Sequence, residues 1–95
     1  MFANLIFLFK FVHSLTTNYH HIAMNELSFI QKNIEKWEHV EIMAQDLSEE
    51  TPDDIADAYT EITSDLAFAY THFPSARITL YLNNLAAVLH NAIYR

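Results

Sequence analysis

The side chains of this 95-residue chain that could do chemistry are six histidines, a row of acids and five serines between Ser14 and Ser75. Glu35 and His39 stand four apart and could present a carboxylate and an imidazole on one helix face, but a zinc site needs at least three protein ligands. His20 and His21 are adjacent, His72 falls beside a proline turn, and His90 has no acid near it in sequence. Asp54, Asp57, Glu61 and Asp65 step along one side of a helix, a spacing that suits general acid and base work or a divalent cation. No Glu-x-x-His motif accompanies them, and an apolar stripe opposite accounts for the row as ordinary amphipathicity. None of the serines has the glycine-flanked turn of a nucleophile elbow, and a chain with no glycine has no loop to cradle a phosphate. The residues therefore predict no catalytic, metal or cofactor site.

Composition narrows the classes further. Twelve acids against five Lys and Arg give a net charge of −7, the wrong sign for nucleic acid or for an anionic lipid surface. Eleven of the acids lie between Glu35 and Asp65 with Lys36 the one base among them, a run that reads as solvated helix faces or as a docking surface for a basic partner. With no cysteine there is neither a disulfide nor a thiol nucleophile.

The elements that position these groups follow from periodicity. No glycine, two prolines and 52% apolar residues predict a small all-α domain, an antiparallel three-helix bundle. Leu27, Ile30, Ile34, Trp37, Val40, Ala44 and Leu47 step by three and four and predict a first helix at about 25–46. Thr51-Pro52-Asp53-Asp54 combines a hydroxyl cap, a proline at the first position and acids at the positive end of the dipole, so a second helix runs 52–72 with the stripe Ile55, Tyr59, Ile62, Leu66, Ala69 and Phe73. Pro74 ends it. Ser75 is the expected cap of a third helix at 76–94, striped by Ile78, Leu82, Leu85, Leu89 and Ala92 and widened by Tyr81, Val88 and Ile93. Residues 78–94 carry no charged side chain, yet Asn83, Asn84, His90 and Asn91 would need partners inside lipid, so this helix is expected in the middle of the bundle rather than across a membrane. Tyr59, Tyr70, Tyr81 and Tyr94 with Trp37 read as core and core-edge packing with the hydroxyls reaching water, or as a surface for another protein.

The first 23 residues differ. An apolar block through Val12, interrupted by Lys10 and followed by Thr16-Thr17-Asn18-Tyr19-His20-His21, is too short to span a bilayer and lacks the flanks of a secretory signal. It reads as an extra apolar helix, a disordered extension, or upstream sequence outside the native chain, with Met24 the start.

Asp65-Leu66-Ala67-Phe68-Ala69-Tyr70-Thr71-His72-Phe73-Pro74-Ser75, running into Tyr81-Leu82-Asn83-Asn84-Leu85 and on to Ile93-Tyr94-Arg95, resembles the stage II sporulation protein M family, as does the Lys36-Trp37 helix upstream. The resemblance covers about residues 25–95 and carries Trp37, Tyr59, Asp65, Leu66, Pro74, Tyr81, Leu82, Asn83, Leu85, Ile93 and Tyr94 as motif positions. Many relatives have arginine where this chain has Thr60, Tyr70 and Val88. The resemblance implies the soluble helical segment that precedes the transmembrane helices of a polytopic bacterial protein, on the cytoplasmic face of the inner membrane. Its own transmembrane domain and other membrane or membrane-associated proteins would be its partners, with no enzyme activity of its own. In spore formers it implies a part in the peptidoglycan-remodelling machinery of engulfment. The competing expectation is a free-standing helical regulator that forms homo-oligomers through its third helix. Asp65 is expected to make a buried structural hydrogen bond, to Asn83, Arg77 or a backbone donor near the turn.

Overall fold

The computed structural model describes residues 24–94, which form three helices: α1, Met24–Gln45; α2, Pro52–His72; α3, Arg77–Tyr94. The expectations for residues 1–23 lie outside the described residues.

Each boundary has a local cause. Past Gln45, Asp46 accepts hydrogen bonds from the Ser48 backbone N–H (3.1 Å) and hydroxyl (2.6 Å), a side-chain turn that competes with further helix. Thr51 is extended (φ −77°, ψ 154°) and its hydroxyl oxygen accepts from the Asp54 N–H at 3.1 Å, capping α2 as the Thr-Pro-Asp-Asp pattern predicts. At the far end the Phe73 N–H reaches the Ala69 carbonyl at 2.7 Å before Pro74 turns the chain. The cap expected of Ser75 does not form: α3 opens at Arg77, the cap position falls to Ala76, and the buried Thr79 hydroxyl closes the turn by donating to the Phe73 carbonyl at 2.6 Å. No described residue has positive φ, so both connections are made without the left-handed backbone that glycine usually supplies.

The helices run up, down and up. The α2–α3 hairpin makes the largest interface and α1 lies mainly against α3, which puts α3 in the middle as its uncharged face requires. Ile78, Thr79, Tyr81, Leu82, Leu85, Ala86 and Leu89 of α3 are buried, against Ala58, Ile62 and Ala69 of α2. From α1 the core receives Phe29, Ile30, Trp37 and Val40. Fully burying an aliphatic side chain contributes about 1.5–3 kcal/mol, and Ile30, Ile62, Ile78, Leu82, Leu85 and Leu89 all reach that limit. Among the described residues no helix is long and apolar enough to cross a membrane.

Candidate interaction site

Two polar contacts fasten α1 to the hairpin. In the first, the Trp37 indole donates to Asp65 Oδ2 at 2.9 Å, and Lys36 Nζ sits 2.8 Å from the same oxygen. The indole comes from a fully buried residue, so its N–H needs an acceptor, and Asp65 supplies one from a position facing α1 across the α1–α2 interface. The expected partners near the turn, Arg77 and Asn83, are not the ones used. Asp65 occupies the side of α2 that looks back at α1, whereas Arg77 and Asn83 are exposed on α3.

In the second contact the Tyr81 hydroxyl donates to Glu41 Oε1 at 2.5 Å. Both residues are buried, so this tyrosine points inward and its hydroxyl does not reach water as the aromatic pattern suggested. Glu41 is wholly enclosed, and its Oε2 has no hydrogen-bond partner among the described residues. Burial raises its carboxyl pKa, Glu38 one turn earlier pushes the same way, and the Tyr81 hydrogen bond opposes both. The Tyr81 phenol is also raised, by burial first, then by the hydrogen bond to Glu41 and the negative charge of Glu41 and Glu38.

Periodicity places Glu41 on the buried face, since it stands seven from Ile34, four from Trp37 and three from Ala44. Reading the stripe through its apolar neighbour Val40 passes over it. Phe29 and Phe68 form the other unforeseen feature. Their rings stack at 4.8 Å, Phe29 also meets Trp37 at 5.2 Å, and His72 lies 4.2 Å from Phe68. This cluster lines an open groove of about 780 Å³ between the start of α1 and the end of α2, edged by Lys32, Asn33 and Asp65.

The remaining motif positions serve packing. Tyr59 and Leu66 are half-buried against the core, and Leu82 and Leu85 are inside it. Asn83 and Tyr94 are exposed, Ile93 is half-buried, and Pro74 is exposed at the turn. Thr60 and Tyr70, two of the positions where relatives carry arginine, face solvent, and Val88 is half-buried. The acids Asp54, Asp57 and Glu61 are exposed, as a solvated face requires, and the fourth of the row, Asp65, has turned inward to Trp37. His39, His72 and His90 are exposed, and the His90 ring lies tilted against Tyr94 at 4.6 Å and near Tyr59 at 5.9 Å. Among the described residues no three His, Asp or Glu side chains are grouped to hold a metal. The arrangement offers interhelical fastening, an aromatic groove and an acidic outer face.

No curated protein and no solved structure matches the chain. Residues 27–95 match a family described as a domain of unknown function, DUF8413, a segment that takes in nearly all of α1 and the whole hairpin. That segment is well over half of the sequence, and the chain belongs to the DUF8413 family.

Proposed function

We infer that the bundle is a non-enzymatic helical interaction module on the cytoplasmic face of a polytopic bacterial membrane protein, of the kind the stage II sporulation protein M resemblance implies. One observation carries the reading. Trp37, Asp65 and Tyr81, spread across three helices and taken from the resemblance as motif positions, are the residues through which α1 is fastened to the hairpin. A motif that doubles as the bundle's interhelical polar contacts belongs to the fold itself, and shared fold is what a homologous module would retain. Partners would be the protein's own transmembrane helices and other membrane or membrane-associated proteins, met through exposed aromatic residues such as Phe68 and Tyr70. In a spore-forming host the complex would be the peptidoglycan-remodelling machinery of engulfment.

The deciding experiment extends the reading frame past codon 95 in genomic DNA and expresses the whole product with a tag. A product that follows hydrophobic runs of about 20 residues and sediments with membranes is expected. A soluble product ending at Arg95 would overturn the reading.

A second reading, a free-standing homo-oligomer, is favoured by the exposure of Leu80 (62%) and Tyr94 (68%) on α3. Under it, the chain sediments as a dimer or larger and Leu80→Glu disperses it, whereas monomeric sedimentation of the unaltered chain removes it.

A further inference from the structure

Glu41 is the one acid among the described residues that is wholly enclosed. An ionised carboxylate offers about four acceptor positions, and this one receives a single hydrogen bond, on Oε1 from Tyr81. Among the described residues, the groups around it do not supply a counter-charge. On α1 the nearest ionisable neighbour is Glu38, a like charge one turn away, and on α3 the facing group is the neutral phenol of Tyr81. On α2, Asp65, the acid turned toward α1, pairs with Lys36 and the Trp37 indole. A lone carboxylate enclosed in this way costs several kcal/mol, while the neutral acid costs far less.

The helix that bears Glu41 also has the smaller interface with α3. The α2–α3 hairpin makes the larger interface, and the C-terminal half of α1 is fastened to α3 by the Glu41–Tyr81 contact together with apolar packing around Val40. We propose that Glu41 is a proton-operated latch: as the neutral acid it closes the C-terminal half of α1 on α3, and on losing its proton it draws that half of α1 toward water and uncovers the α3 face around Tyr81. Burial holds the Glu41 carboxyl above its ordinary value of 4.5, so the closed form is fully favoured below that value and gives way as pH rises through the higher value of the closed state. The inference is independent of whether the module sits at a membrane.

Carbon-13 titration of the side-chain carboxyls in the whole chain, combined with amide hydrogen exchange at about pH 5 and about pH 8 corrected for intrinsic rate, tests it. Glu41 is expected to titrate above its ordinary value of 4.5, and protection of the last two turns of α1 to fall about tenfold or more over that range while Leu82, Leu85 and Leu89 keep theirs. Glu41→Gln should remove the loss. Glu26→Gln, which alters the other α1 acid whose pKa is raised by burial, should leave it in place. Titration of Glu41 at or below its ordinary value of 4.5, or equal loss of protection in all three helices, would overturn the proposal. Both readouts come from the unaltered chain, so they decide the matter even where Glu41→Gln fails to fold.

Discussion

Asp65 shows how much one oxygen can hold, because its Oδ2 accepts from the Trp37 indole and pairs with Lys36. Asp65→Ala strands the indole N–H of a fully buried residue, a loss of about 1–3 kcal/mol, which in a domain of this size lowers Tm by several degrees. Asp65→Asn keeps an acceptor for the indole and should recover most of that loss in the same thermal melt, since Lys36 is partly exposed and its ion pair is worth little. Tyr81→Phe takes the hydrogen bond from Glu41 and leaves both carboxyl oxygens without a partner among the described residues, again about 1–3 kcal/mol in a urea titration at about pH 5, where the carboxyl is enclosed. The sequence carried Trp37, Asp65 and Tyr81 as motif positions but not their pairing, because contacts spanning 28 and 40 residues depend on how three helices are set against one another.

The helices themselves were largely legible, and the reason is chemical punctuation. Thr51-Pro52-Asp53-Asp54 names its own cap, and Thr51→Ala should cost about 0.5–2 kcal/mol by removing the acceptor for the Asp54 N–H. Ser75 offered the same signal without the geometry. Since Ala76 holds the cap position of α3, Ser75→Ala is expected to leave the urea midpoint nearly unchanged, and a loss comparable to that of Thr51→Ala would show that Ser75 caps in solution. The periodic stripes of α2 and α3 located the core because each apolar step of three or four lands on one face. In α1 the rule gave the face and missed an occupant, for apolar patterning looks past an acid even at a stripe position. Glu41 needed the facing tyrosine to be seen.

At the scale of the molecule, α3 packs against both other helices, and the core gathers around its Ile78, Leu82, Leu85 and Leu89. Ile62 of α2 packs into this core with no exposure, so Ile62→Ala should cost about 2–5 kcal/mol, a large part of what a domain this small can hold, and the variant is expected to be substantially unfolded by circular dichroism at 37 °C. A native-like spectrum and an unshifted urea midpoint would place Ile62 outside the cooperative core. The up-down-up order was readable from three striped segments and two short connections, whereas the relative extent of the two interfaces was not, since it depends on how closely backbones approach. One feature of the whole chain bears on its evolution. Neither connection uses a left-handed residue, so no position in the two turns is reserved for glycine by backbone sterics. Relatives are thus free to vary the exposed turn residues around Glu49 and Ser75 without a conformational penalty, and the fold's identity is written in the helices. A mutational scan would show two tolerant gaps, interrupted at Thr51, Pro52, Phe73 and Pro74, between three constrained segments.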